Sequence, residues 1–171
     1  MSLSSLKGGI YLKIRQTTIE DIDQVLKIYD MARTFQRDSL NLLQWRDGYP
    51  SRNQLQEDIA QGGSYVMVDN NDIVGTFYLQ DGPDQTYIAL KDTWENIDEI
   101  VTIHRMAVKY SGRGVGKNMM SWIIDHHNHV MIDTHDQNIA MKSLVNSFGF
   151  EYIGIVQVED GTNRNTYDLR Q

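Results

Sequence analysis

A chain of 171 residues with 40% hydrophobic and 23% charged residues can bury one sizeable core, and its balance is that of an ordinary water-soluble domain. The net charge of −7 and pI near 5.1 argue against a nucleic-acid partner, which needs a basic footprint, and suit a cationic small substrate. With no cysteine, disulfides, thiolate zinc sites and a covalent thioester on the enzyme are all excluded.

The opening "MSLSSLKGG" lacks the apolar centre of a secretory signal and reads as a loose tail over residues 1–9, ahead of one domain over 10–171. No apolar run approaches the ~20 residues of a membrane span, so the expected setting is the cytoplasm. "IYLKIRQ" (10–16) alternates as a first strand. A helical stripe follows through Ile19, Ile22, Val25, Leu26 and Tyr29, with Thr17 and Glu20 spaced as a capping box. Residues 38–47 suggest a second helix ended by Gly48, and Ser51 with Gln54 opens a third that Gly62-Gly63 terminates. "SYVMVDNNDIVGTFYLQ" (64–80) is a hairpin around asparagines that tolerate left-handed turn geometry.

Residues 81–98 have no clean period and are expected to be loop with a short turn or strand fragment. "EIVTIHRMAV" (99–108) reads as a buried strand, and Val115, Met119, Trp122 and Ile123 as a helix reaching about His126. A short strand (129–133), a helix (138–148) ended by Gly149, and two strands about "EDGTN" complete the chain. Strand–helix alternation in the second half implies parallel neighbours within one mixed α/β sheet.

The chemistry-bearing stretch is "YSGRGVGKNMM" (110–120), with three glycines between a buried strand and an amphipathic helix. A Walker loop needs four residues between its glycines and Ser or Thr after the lysine; Gly112 and Gly116 enclose three, and Asn118 follows Lys117. The dinucleotide fingerprint G-x-G-x-x-G fails as well, because the spacing here is G-x-G-x-G. Two readings stay open: a tight turn needing glycine for its geometry, or glycines that let pyrophosphate oxygens reach the amides of a helix start, with Arg113 and Lys117 adding charge.

The flanking blocks resemble the GNAT superfamily of acyl-CoA-dependent N-acyltransferases. "EIVTIHRMAVKYSGRGVGKNMMSWII" is similar to the family's fourth strand, pyrophosphate loop and third helix, and "NIAMKSLVNSFGF" carries Asn138, Leu144, Gly149 and Phe150 at family spacing. The likeness spans roughly residues 10–170. It implies a GNAT-like fold: a mixed, mostly antiparallel sheet of about seven strands, helices on both faces, splayed between strands four and five. It also implies acetyl-CoA as co-substrate, no metal, a small-molecule amine or amino-terminal group as acceptor, direct attack in a ternary complex, and room for a homodimer. Cofactor contacts would fall to Met106, Ala107 and Val108 on the strand, to Ser111, Gly112, Arg113, Gly114, Val115, Gly116 and Lys117 in the loop, and to Asn138, which could equally cap its helix.

Direct transfer needs an acceptor stripped of its proton. His104 and Glu99 are the strand's candidate bases, although His104 could be an interior histidine and Glu99 an exposed strand start. Val145 stands where many members carry the tyrosine that protonates the leaving thiolate, leaving Tyr152 as a substitute donor or a packing residue. Ser111 replaces the usual Arg or Gln, and the stretch before Gly112 is short and lacks the common proline. Phe35, Trp45 and Tyr49 would line the acceptor pocket or else join the core. His126, His127, His129 and His135 invite a metal reading, but they cross a helix end and a turn and point to different sides. An idle acyl-CoA-binding module on the same fold is the alternative to an enzyme, and an ATP or dinucleotide protein has least support.

Overall fold

The computed structural model describes residues 12–46 and 48–171; the tail at 1–9, residues 10 and 11 of the expected first strand, and Asp47 lie outside the described residues. Among the described residues seven strands form one sheet in the order β1-β2-β3-β4-β5-β7-β6. They are β1 (Leu12–Gln16), β2 (Ser64–Asp69), β3 (Asp72–Asp81), β4 (Ile100–Val108), β5 (His129–Thr134), β6 (Glu151–Gln157) and β7 (Asn163–Arg170). The helices are α1 (Ile22–Leu40), α2 (Arg52–Ala60), α3 (Val115–His126) and α4 (Ile139–Ser147). Between β3 and β4 the chain makes 3₁₀ turns at Gln85–Leu90 and Ile97–Glu99. Among the described residues no helix is long and apolar enough to cross a membrane.

Strand alternation sorts the core into two faces. Val101, Ile103, Val130 and Ile132 face α3 and α4, packing on Met119, Met120, Ile123 and Val145. The opposite face buries Ala107, Val66 and Ile73 under α1 and Leu55 of α2, with Ile100 and Met131 beneath Tyr87 further along. Helices therefore cover both faces of the sheet, as the family likeness implied.

Two local expectations are corrected. Residues 41–46 do not form a second helix: α1 runs on to Leu40, and Asn41 takes φ 49° and ends it. The chain then folds back on α1, with Leu42 N–H donating to Gln36 C=O (2.9 Å) and Trp45 N–H to Gln36 Oε1 (3.1 Å). The reciprocal bond before α1 joins Thr18 to Asp21, whose carboxylate accepts from Thr18 N–H at 2.8 Å, rather than Thr17 to Glu20. Thr17 is buried, and its hydroxyl accepts from Ser64 Oγ at 2.8 Å, so it is committed to β2. The expected cap at Ser51 is present, accepting from Gln54 N–H at 3.1 Å.

Two features of β4 create the site. Every pairing in the sheet is antiparallel except β4 with β5, which runs parallel from Ile100↔His129 only as far as Ile103↔Ile132. Beyond that pair the strands part. On its other edge β4 keeps β3, but between Tyr78↔His104 and Thr76↔Ala107 two β4 residues oppose one of β3. That bulge holds Arg105 at φ 52° and re-aims the side chains beside it.

Candidate active site

The bulge is held from outside the sheet. Arg105 donates two parallel bonds to Asp58 of α2, Nε to Oδ2 and Nη2 to Oδ1, each 2.8 Å, and its guanidinium lies 4.6 Å from the Tyr78 ring centroid. Burial pushes the Asp58 carboxyl upward, and the two-pronged bond opposes it. A charge-assisted fork of this kind offsets the cost of a left-handed residue with a Cβ.

Where β4 and β5 separate, a cavity of about 660 Å³ opens. Its walls are Ile103–Met106 of β4, Ile132–Thr134 of β5, Gln44–Arg46 of the loop after α1, Asp84 and Thr86, and Val158–Asp160 with Arg164. His104 and Asp133 are the first residues past the last pair, and alternation turns both to the face that carries Tyr87. His104 Nε2 lies 3.5 Å from Asp84 Oδ2 without a hydrogen bond, while Asp84 Oδ1 accepts from Thr86 N–H (2.8 Å) and Oγ1 (2.7 Å). Burial, aided by the neighbouring Arg105 cation, pushes the His104 pKa down to about 4, so the imidazole is neutral at physiological pH. Asp133 accepts a hydrogen bond from Tyr87 Oη and faces Arg164 Nε at 4.0 Å, and burial holds its carboxyl above the usual range.

On the opposite face the fork meets the glycine loop. Lys109 N–H donates to Val74 C=O at 2.8 Å, so the planar peptide turns Val108 C=O the other way, and alternation sends the Met106 N–H and C=O with it into the fork. The loop then starts α3: Gly114, at φ 75°, is its N-cap, and Asn118 N–H reaches Gly114 C=O at 3.0 Å. The amides of Val115, Gly116 and Lys117 thus have no acceptor within the helix. A Cβ on Gly112 or Gly114 meets nothing within 4 Å, so open space lies over a cluster of outward N–H groups. These residues fit a pyrophosphate: an electropositive helix start, bare glycines, and Arg113 and Lys117 alongside. Arg113 lies 4.7 Å from the Tyr110 ring centroid.

The cavity brings together His104, Met106, Asn138, Trp45 and Tyr49. Asn138 caps α4, accepting from Met141 N–H at 3.2 Å, and its amide donates to Gln44 Oε1 at 3.2 Å, tying the loop after α1 across the fork. Trp45 packs edge-on between Tyr29 and Tyr49. Ala107 is buried under α1, and Ser111 to Gly114 form the loop on the other side, with Val115 to Lys117 the first turn of α3. Glu99 sits exposed in the turn before β4, Tyr152 is exposed on β6 against Tyr167, and half-buried Phe35 lies on α1; none of the three lines the cavity. Val145 is fully buried beneath the sheet.

The histidine-rich segment disperses. His126 Nδ1 meets Trp122 C=O at 2.7 Å, His129 Nε2 meets Asp168 Oδ1 at 2.6 Å, and His135 Nδ1 accepts from Gln137 N–H at 3.1 Å. Among the described residues no group of three or more His, Asp or Glu is placed to hold a metal ion. The sequence carries no signal that singles out Asp58, Asp84, Arg105, Asp133 or Gln44. Arg105 lies between two residues that the sequence does single out, His104 and Met106, but an isolated aspartate at a strand end such as Asp133 carries no signal until its neighbour strand is known.

A parallel strand pair that forks beside a glycine-lined helix start, with a bulge on the first strand, is the arrangement that the likeness to the GNAT superfamily implies. The acetyltransferase (GNAT) family matches residues 25–150, and the chain belongs to that family. It is similar to a GNAT-family acetyltransferase from Streptococcus agalactiae 2603, at 28% identity and TM-score 0.84, covering 94% of this chain and 96% of that one. The ribosomal-protein-S18-alanine N-acetyltransferase of Escherichia coli shares the fold at 17% identity and TM-score 0.65, with 93% of each chain covered. So does yncA from Salmonella typhimurium, solved with its cofactor acetyl-CoA, at 19% identity and TM-score 0.64, again with 93% of each covered. No curated protein matches the sequence.

Proposed function

We propose that this protein is an acetyl-CoA-dependent N-acetyltransferase that acetylates a primary amine of a small molecule or an amino-terminal group by direct attack in a ternary complex. The observation that carries the reading is the fork itself. It offers an unpaired β4 edge at Met106 and Val108 that runs toward the free amides of α3, with a polar cavity on the other side. Acetyl-CoA, when bound, supplies an activated acetyl thioester.

The edge at Met106 and Val108 pairs with an extended amide-bearing arm as a strand would, and the α3 amides with Arg113 and Lys117 hold its pyrophosphate. A backbone N–H on this edge is suited to an oxygen that gains charge during transfer. His104, neutral in the fork, accepts a hydrogen bond from the incoming amine, and Trp45 and Tyr49 form the pocket wall beside it. Holding both reactants here contributes ~7–11 kcal/mol when geometry is right. With buried Val145 where many family members carry a tyrosine, no phenol is supplied at that position, and the thiolate leaves as the anion and takes its proton afterwards.

Thermal shift with acetyl-CoA, ATP and NAD side by side tests the cofactor, and release of free thiol with a panel of amines tests transfer. Stabilisation by ATP or NAD but not acetyl-CoA overturns the reading. Acetyl-CoA binding without thiol release favours the idle acyl-CoA module, which the absence of a tyrosine at Val145 also suits.

A further inference from the structure

We propose that Asp133 is the carboxylate that receives the acceptor's ammonium at the fork and takes its proton, so that the acceptor enters as a cationic primary amine on the face opposite the α3 loop. The inference rests on the transferase reading above. Its geometric basis is position: Asp133 and His104 stand one on each strand immediately past Ile103↔Ile132, on the same face and both in the cavity wall. An amine between them lies where the two strands part, between the β4 edge and the cavity.

Every charged or titratable group facing Asp133 bears on how it acts. From the 3₁₀ turn over Gln85–Leu90, Tyr87 Oη donates to Oδ2 and fixes the carboxylate's orientation, with Asp84 adding a repelling charge at the same end. From β7, Arg164 approaches Oδ1 only to 4.0 Å and also faces Asp160 at 3.7 Å, so its charge is divided. From β4 comes His104, neutral because burial and Arg105 disfavour its cation. Asp133 is thus a buried carboxylate with one oxygen anchored and the other under-compensated, and burial raises its affinity for a proton.

In the step so defined, one N–H bond of the ammonium breaks and its proton passes to the Asp133 carboxylate. The freed lone pair forms the C–N bond to the acetyl carbon as the C–S bond breaks, and the second proton leaves nitrogen as the thiolate takes one up. Asp133 then returns its proton to water. The products are the amide, the free thiol and one proton, which balances.

The test measures kcat/KM against pH by thiol release from acetyl-CoA, using n-propylamine, 2-phenylethylamine, 1,4-diaminobutane and an alanine-initiated tripeptide as acceptors. Wild type is expected to show a limb below neutrality, separate from the amine's own near pH ~10. Asp133→Asn keeps a group that can accept from Tyr87, and should lose the limb and about 100-fold or more in kcat/KM while acetyl-CoA still raises its Tm. Tyr87→Phe removes the donor that favours the ionised carboxyl and should move the limb to higher pH. An Asp133→Asn enzyme with the wild-type limb, or a Tyr87→Phe limb that stays in place, overturns the inference while leaving the transferase reading intact. If Asp133→Asn does not fold, the Tyr87→Phe limb decides. Bound acetyl-CoA with no turnover of any amine overturns both.

Discussion

Gly116 separates the two meanings of a glycine-rich loop, because its environment makes stability and ligand binding respond in opposite directions. It is the second residue of α3 and does not need a left-handed φ. A Cβ there would meet Leu144 Cδ2 at 3.6 Å and Val108 Cγ1 at 3.9 Å, ordinary contacts that demand no movement. Gly116→Ala should therefore stabilise the free protein by the helical preference of alanine, about 0.5–1 kcal/mol. For a domain of this length that is a rise of about 1–4 °C in Tm. If the α3 amides hold a pyrophosphate, the same methyl, seated beside Val108 where the β4 edge runs to the loop, crowds a phosphate oxygen that approaches the Gly116 N–H. Loss of one charge-assisted hydrogen bond costs about 1.5–3 kcal/mol, or about 10- to 150-fold in acetyl-CoA affinity. Calorimetric titration with acetyl-CoA and a melting curve without it read both effects on one sample. A higher Tm with unchanged affinity would show that Gly116 serves only the turn, and the phosphate reading of the loop would fall. Gly114→Val is the companion control. Its φ of 75° adds backbone strain, so stability and affinity should fall together.

The Asp58–Arg105 pair should matter to the whole fold, since Asp58→Ala leaves a largely buried guanidinium on a left-handed residue without its partner. The expected loss is about 3–5 kcal/mol, roughly 6–20 °C in Tm by calorimetry, and a drop of less than about 2 °C would mean the bulge does not depend on the pair. His104 makes stability fall with acidity. Its folded pKa of about 4 lies below the unfolded 6.5, so the unfolded chain binds the extra proton across that window. Relative to His104→Gln, wild type should lose up to about 3 kcal/mol as pH drops from 6.5 to 4 and nothing more above or below it. A pH-independent difference between the two urea curves would place the imidazole in a solvated setting.

How much could be read in advance depended on the range of the interaction involved. The strand periods, the helical periods of α3 and α4, the Ser51 cap, the paired asparagines of the hairpin and the glycine stop after α4 are encoded within a few residues, and these appear where the pattern puts them. The misreadings arise where a distant group competes. Thr17 suits a capping box locally, but its hydroxyl is taken by Ser64, and residues 41–46 carry a helical pattern that Gln36 overrides by drawing them back onto α1. Glu99, Tyr152 and Phe35 are candidates by residue type alone, and the structure places them outside the cavity wall; type says nothing of which side of the sheet or which end of a strand a side chain occupies.

The amino-acid sequence by itself determined the strand and helix content, the glycine-rich helix start and the family likeness, because each rests on local period and spacing. Only the tertiary structure decided that β4 and β5 part after Ile103↔Ile132, that a bulge at Arg105 is clamped by Asp58 from α2, and that Asp133 faces the same cavity as His104. Those facts depend on register between segments far apart in the chain. A shift of one residue in that register would turn each of these side chains to the other face.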